Sequence, residues 1–412
     1  MLEKLRRKLG SANRNFLVLV FRRGYSSLFN SLPMQYTSLY MKALGLNEIT
    51  IGYLRSLGDA ASALTSPLLG FIADLKSLKK ALMAVMLIEV LAPLFYIFSW
   101  DWRLLIPAVI CGVLTMSLTN VVEVVYIANL LRRTSRATGF GITNTVSTIS
   151  SLIAPMIAAV IVESFGGITV QGIKPLFIVQ LLGLVALAPI VVVFLQDISG
   201  GGELKLREEF KGMIEMLRNR KWLQRWILLE ALGGYVWGIT MPYIMIYAVK
   251  YKGATPIILG LMGSALNLAS VVAGVPIGRL ADKIGRIKVL VAIRPVFYAS
   301  ILMLLLAPNP WYLVVAWTLR GLFFSSTSVW QTVAMELVPE EERGRWSGIK
   351  GLISGLIRIP SAPIGGYLWT YFGPEAPFIV ALLIDAFIRL PLIYMTPETL
   401  KKKEYFALYS SV

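Results

Sequence analysis

Histidine is absent from this 412-residue chain, and cysteine occurs once, as Cys111. The first absence removes the commonest catalytic base, proton shuttle and metal ligand together. The second excludes an intrachain disulfide, so cysteine usage says nothing about redox compartment. Charge is sparse as well. Asp, Glu, Lys and Arg make up 15% of the residues, against about a quarter in soluble domains. The glycine-containing stretches "GSANRNF" and "GGGEL" lack the lysine of a phosphate-binding loop, which disfavours an ATP-driven pump. With no metal cluster and no nucleotide phrase, the sequence argues against an enzyme and implies no cofactor and no metal site.

Apolar residues fill the space that charge vacates. They account for 56% of the chain and form runs long enough to cross a bilayer along almost its whole length. Short alternating segments, the mark of a membrane β-barrel, are missing. The expected fold is therefore an all-α polytopic membrane protein with twelve transmembrane helices. They are placed at 16–42, 48–72, 79–99, 104–131, 137–164, 174–196, 223–250, 256–278, 287–307, 311–338, 345–372 and 375–396.

The net charge of +17 would suggest nucleic acid in a soluble protein. Here its distribution argues against that partner. Of 40 Lys and Arg residues, 28 fall in or beside the N-terminus, alternate loops and the C-tail, and five in the opposite loops. Such asymmetry places both termini and the central loop in the cytoplasm. The basic start "MLEKLRRKLGSANRNF" is followed by too short an apolar run for a signal peptide. Within 197–222, "LREEFKGMIEML" has apolar residues at helical spacing, and reads either as an amphipathic helix on the inner membrane face or as a solvated linker.

The phrase "GRLADKIGR" at 278–286 has a weaker counterpart, "GFIADLKSLKK", at 70–80. The offset of 208 between Gly70 and Gly278 also relates Gly52 to Gly260, Ser56 to Ser264, Asp74 to Asp282 and Pro155 to Pro363. Arg136 and Arg343 match at an offset of 207. The chain thus divides into a six-helix bundle (1–196), a linker (197–222) and a second six-helix bundle (223–412). An even span number sets both bundles the same way up, as a parallel repeat about the membrane normal.

With that repeat, "GRLADKIGRIK" resembles the loop signature of the major facilitator superfamily, roughly G-x-L-a-D-r-x-G-r-[KR]. Gly278, Leu280, Ala281, Asp282, Gly285, Arg286 and Lys288 match it. The first copy keeps Gly70, Ala73 and Asp74 but has Ser77 and Leu78 where the pattern has Gly and Arg. The resemblance spans nearly the whole chain. It implies a cytoplasmic latch built from Asp74, Arg136, Asp282 and Arg343, with Gly70 and Gly278 allowing close helix approach; the alternative is a plain basic hairpin. The fuller C-terminal copy is expected to make the stronger latch.

A charge at bilayer depth costs about 2.5–3.5 kcal/mol on insertion scales and so needs a partner or a polar cavity. Arg55 with Asp59, and Asp385 with Arg389, sit four apart and read as structural pairs. The resemblance implies that helices 1, 4, 7 and 10 line a central cavity. Arg22 and Arg23, about 11 Å into helix 1 at 1.5 Å per residue, lie at a depth similar to Glu123 on helix 4, and one of them is expected to pair with it. Glu230 on helix 7 and Arg320 on helix 10 form a second candidate pair. Glu123 and Glu230 are the candidate proton-coupling carboxylates, with permanent salt bridges as the alternative. Arg320 is alternatively an anion-binding group. Asn30, Gln35 and Tyr36 on helix 1, Asn120 on helix 4, Tyr235, Trp237 and Tyr243 on helix 7, and Trp330 and Gln331 on helix 10 complete the candidate lining, which suits an amphipathic organic molecule.

Drug-exporting branches of the family carry G-x-x-x-G-P-x-x-G-G in helix 5. This chain has "SSLIAPMIAA" at 150–159, keeping the proline and replacing the glycines with Ser or Ala. The resemblance implies a cell-membrane secondary transporter working as a monomer by alternating access. It takes a small molecule, with protons or another coupling ion, and efflux is favoured over import of a sugar or organic acid. A receptor or assembly factor that kept the fold is the reading from another class.

Overall fold

In the computed structural model, residues 13–65, 77–131, 135–198, 212, 215–218, 220–339 and 342–400 are described; they hold no β-strand. The chain clusters into two compact units. One is Met1–Leu46 with Leu57–Glu208; the other is Asn47–Ser56 with Glu209–Val412. The division falls inside the second expected span, whose first nine residues after Asn47 cluster with the later half of the chain.

The first unit is built on α1 (Asn13–Ser31), α2 (Thr37–Ala43), α3 (Glu48–Thr65), α4 (Leu78–Ile97), α5 (Leu105–Leu130), α6 (Arg136–Ser164) and α7 (Val170–Phe194). The start of α3 belongs to the other unit. The expected first helix is interrupted at 32–36, where Pro33 supplies a carbonyl to Tyr36 and Thr37 N–H at 2.9 Å. Its core gathers Phe16 and Leu19 of α1, Leu82 and Val85 of α4, Tyr126 of α5 and Leu187 of α7. Proline sits inside α4, α6 and α7 at Pro93, Pro155, Pro175 and Pro189, a placement that bundle interiors in membranes tolerate.

The second unit holds α8 (Lys221–Lys250), α9 (Pro256–Ile284), α10 (Arg286–Ala292), α11 (Arg294–Leu306), α12 (Trp311–Phe324), α13 (Thr327–Glu336), α14 (Arg343–Arg358), α15 (Ser361–Phe372) and α16 (Ala376–Leu383). A π-helical segment (Ile384–Arg389) and α17 (Leu390–Tyr394) follow. Three expected spans are each split in two, at Ile293 before Pro295, at Ser325–Ser326, and at Ile359–Pro360. Proline explains the first and last, since it lacks the N–H and crowds the preceding turn. The core collects Trp226, Leu229, Leu290, Val333 and Trp346. Gly321 of α12 comes so close to α9 that a Cβ there would overlap the Leu266 carbonyl. Among the described residues, eight helices are long and apolar enough to span a bilayer. Of 206–217, the described positions 212 and 215–217 are helical, and Met216 is buried in the second unit's core.

The repeated loop phrase is built differently in the two units. At Gly285 the backbone takes φ 113° between α9 and α10, a conformation that glycine adopts without strain. The exposed N–H groups of Arg286 and Ile287 donate to the Glu398 carboxylate at 2.8 and 3.1 Å. The equivalent position in the first unit is Ser77, with φ −142°. Its hydroxyl accepts from Lys80 N–H at 3.2 Å as the N-cap of α4. Asp197 adds a carboxylate to the same helix end, accepting from Lys79 N–H at 3.1 Å. The Ser77 hydroxyl foremost, then the backbone N–H groups of Lys79 and Ile198, hold the Asp197 carboxyl below its ordinary range.

Substitution at this pair of positions should therefore act asymmetrically. We expect Ser77→Ala to cost about 1 kcal/mol and Ser77→Gly only a few tenths, as at other N-caps. Gly285→Ala should cost about 1–2 kcal/mol, because its φ is unfavourable for any side chain and the new Cβ would meet Glu398. Thermal unfolding in detergent reads all three.

Candidate functional site

A helix buried on several sides cannot hide a charge without supplying its counter-charge locally. In the first unit this produces a network across four helices. Arg22 of α1 is fully buried. Its guanidinium contacts Glu123 of α5 and Glu89 of α4, the latter at 3.1 Å. Arg23 reaches the other oxygen of Glu123 at 3.1 Å and Asn120 Oδ1 at 2.9 Å. Asn30 donates to the second oxygen of Glu89 at 2.6 Å, and Gln180 of α7 donates to Asn30 at 2.8 Å. Two guanidinium groups thus meet two carboxylates, and the amides absorb the remaining lone pairs.

Glu123 is expected to pair with one of the two arginines and meets both, with Asn30 and Asn120 beside it. Glu89 and Gln180 are members of the network to which the sequence alone assigns no role. A polar amide in mid-span was the available signal. Gln35 and Tyr36 lie in the connection between α1 and α2, where Tyr36 is buried. The expected Arg55–Asp59 pair does not form. Arg55 is exposed with no ion pair among the described residues, while Asp59 is buried. On α3 their shared helix face was less decisive than the different surroundings of its two ends.

The second unit contains a cavity of about 310 Å³. Glu230, Gly233, Gly234 and Trp237 of α8 form one wall. Thr327 and Trp330 of α13, Ser354 and Arg358 of α14, and Arg389 close it. Glycines at 233 and 234 leave room for two long side chains: a Cβ at Gly233 would overlap the Arg389 guanidinium, and one at Gly234 would press on Arg358 at 3.0 Å. Glu230 accepts from Trp330 Nε1 at 2.8 Å and from Lys350 Nζ at 3.2 Å. Trp330 also stacks on Trp226, with centroids 4.6 Å apart, and carries the Arg389 guanidinium 4.9 Å over its ring. Tyr235 and Gln331 are not among the residues that line this cavity. Tyr243 is buried, donating to the Ala362 carbonyl.

Two findings correct the expectations for this unit. Glu230 does not pair with Arg320; Lys350, one helix over on α14, takes that place. Arg320 sits instead among aromatic rings, 4.7 Å from the Trp237 centroid, 5.6 Å from Trp317 and 5.8 Å from Phe297. It is 2% exposed, and its Nη2 has no hydrogen-bond partner among the described residues. The expected Asp385–Arg389 pair does form, at 3.0 Å within the π-helical segment. Arg294 of α11 joins it at 2.9 Å and Tyr298 at 3.1 Å.

The chain has counterparts among known sequences. The profile of the Major Facilitator Superfamily matches residues 17–255 and again 226–406. The chain belongs to the major facilitator superfamily. It is a membrane transporter of this family. Its sequence is 21% identical over 367 residues to the multidrug resistance protein MdtG of Enterobacter lignolyticus, covering 87% of this chain and 86% of that one. It is 26% identical over 182 residues to the class E tetracycline resistance protein of Escherichia coli, 42% of each. Among solved structures, the D-xylose–proton symporter superposes with a TM-score of 0.72 over 93% of this chain and 99% of that one at 13% identity. The nucleoside transporter NupG gives a TM-score of 0.72 over 93% of this chain and 98% of its own, also at 13% identity.

The loop residues that the family signature singles out can now be placed. Gly70 and Asp74 lie outside the described residues. Asp282 is exposed and 3.6 Å from Arg286, and Arg286 also pairs with Glu336 of α13. Arg136 donates its Nε to the Leu131 carbonyl at 3.2 Å, and Arg343 donates to that of Met335 at 3.1 Å. Each arginine thus serves the carboxyl end of the helix before it, where free carbonyls favour a cation. Gly278 has no atom within 4 Å of a Cβ position, so the close helix approach expected there is not made. The carboxylate at the α10 N-terminus is Glu398, a residue outside the signature.

The first unit's network has a clear energetic signature. Arg22→Met should strand two buried carboxylates and destabilise the protein by about 3–5 kcal/mol. Arg23 is partly exposed, so Arg23→Met should cost about 1 kcal/mol or less. Comparing the two unfolding midpoints in detergent checks this, and equal losses would contradict the assignment.

Proposed function

We propose that this transporter is a proton-coupled exporter of small amphipathic organic molecules, and that Glu230 is its proton-coupling carboxylate. It would reside in the cell membrane with both termini in the cytoplasm, as the loop charge asymmetry implies. The observation that carries the reading is the setting of Glu230. Its side chain retains 26% exposure and opens on a cavity walled by Trp237 and Trp330. One amine, Lys350, and one indole N–H hold its charge. Such a carboxylate can take up a proton when the lysine or a substrate moves, and release it when they return.

Glu123 has the opposite setting: it is 3% exposed and shared by two arginines, contacts that tie α5 to α1. Export is favoured by similarity to the multidrug resistance and tetracycline resistance proteins. It is also favoured by the buried small residues Ala154, Ala158 and Ala159 around Pro155 of α6, which stand where exporters carry glycine and permit close helix packing. The fold shared with a sugar–proton symporter is compatible with either direction.

Proteoliposome flux distinguishes the possibilities. A vesicle interior made acidic should drive uptake of an amphiphile such as tetracycline, whereas an acidic exterior should drive uptake of a sugar such as xylose if the protein is a symporter. Glu230→Gln should lower gradient-driven uptake at least tenfold and leave substrate exchange at zero gradient intact. Flux indifferent both to the gradient and to Glu230→Gln would refute proton coupling.

A further inference from the structure

The two units treat buried arginine differently. In the first, Arg22 and Arg23 are answered by Glu89 and Glu123. In the second, positive charge is left over. One carboxylate, Asp385, serves both Arg294 and Arg389. Arg320 has no ion pair among the described residues, and three aromatic rings lie within about 6 Å of its guanidinium. Rings attract a guanidinium through their negative faces, but they do not neutralise it. One of these rings, Trp237, is itself a wall of the 310 Å³ cavity, so the uncompensated charge stands one indole away from that space. The single carboxylate on the wall, Glu230, is already engaged by Lys350.

We propose that this cavity takes an organic anion bearing a flat apolar ring, and that Arg320 sets the preference for anions. The inference rests on the transport reading and narrows its substrate class. The ring would lie against Trp237 and Trp330, which present apolar faces. The hydroxyl of Thr327 on the same wall supplies a donor for a carboxylate or sulfonate. Arg320 and the Arg294–Asp385–Arg389 group supply positive potential in a water-poor setting, where charges are weakly screened. A cationic ligand of the same shape would meet the same potential as repulsion, and a neutral one would gain nothing from it.

Three ring-matched probes test this on the full-length protein in detergent: 2-naphthalenesulfonate, 2-naphthalenemethanol and 2-naphthylmethylammonium, each measured by equilibrium binding. The sulfonate should bind at least tenfold more tightly than either of the others. Arg320→Gln should weaken sulfonate binding about tenfold and change alcohol binding less than twofold, while Arg320→Lys keeps the preference. The wild-type comparison requires no variant, so loss of folding in Arg320→Gln does not remove the test. Equal affinity for the three probes overturns the proposal, as does an undiminished sulfonate preference in Arg320→Gln. Anion-selective binding with no flux of any probe in proteoliposomes would leave this inference standing and sink the transport reading. Flux of all three probes at equal affinity would do the reverse.

Discussion

Hydrocarbon cannot solvate a guanidinium group, and the arrangement of each unit follows from that constraint. Arg22 is the largest charged side chain with no exposed surface in the first unit. Placing it on α1 obliges α4 and α5 to bring carboxylates to the same depth, and Asn30 and Gln180 extend the arrangement to α7. Four helices are thereby fixed in register by polar contacts in a medium that provides no hydrophobic drive between them. In the second unit the same requirement is met only partly by carboxylates. Aromatic rings take the remainder, which is why Trp237, Trp317 and Phe297 surround Arg320. The difference matters for function because a balanced network is a fastener, whereas a surplus of one sign is a standing bias on whatever enters the neighbouring space.

Much of the architecture was legible in the residues. Twelve apolar stretches and a repeat at an offset of 208 imply two similar six-helix halves, and among the described residues most helices begin within a few residues of the expected starts. Helix interruptions were less visible. Pro295 and Pro360 signal two of them, but the break at Ser325–Ser326 rests on tertiary surroundings. The Glu123–Arg22 contact could be read from matched depth on helices 1 and 4, because depth follows from counting residues. Which acid meets which base across helices depends on rotation about each helix axis, and a single sequence does not carry that information. Hence Lys350 was missed as the partner of Glu230, Glu89 was left without a role, and Arg320 was paired with a carboxylate it does not touch.

The loop phrase gives a different lesson. By pattern, Ser77 reads as the loss of a glycine. By structure, it is a change of device. Gly285 turns the chain through a left-handed conformation and lets Glu398 reach the start of α10. Ser77 keeps an extended backbone and caps α4 with its own hydroxyl, aided by Asp197. Both loops satisfy the free N–H groups of the following helix, one with a distant carboxylate alone and one with a local hydroxyl plus a distant carboxylate. A motif that records only residue identity scores one of these as degraded.

The π-helical segment at Ile384–Arg389 has a geometric consequence. A π turn is an α-helix that has accommodated one extra residue in its hydrogen-bonding ladder, and each residue of an α-helix turns the chain by about 100°. Everything beyond the segment is therefore rotated by roughly a quarter-turn relative to an uninterrupted helix. Within the segment Asp385 meets Arg294 on α11, while Arg389, four residues later, bonds Asp385 and lies over Trp330 on α13. A single irregular turn thus joins a buried ion cluster to the aromatic wall of the cavity.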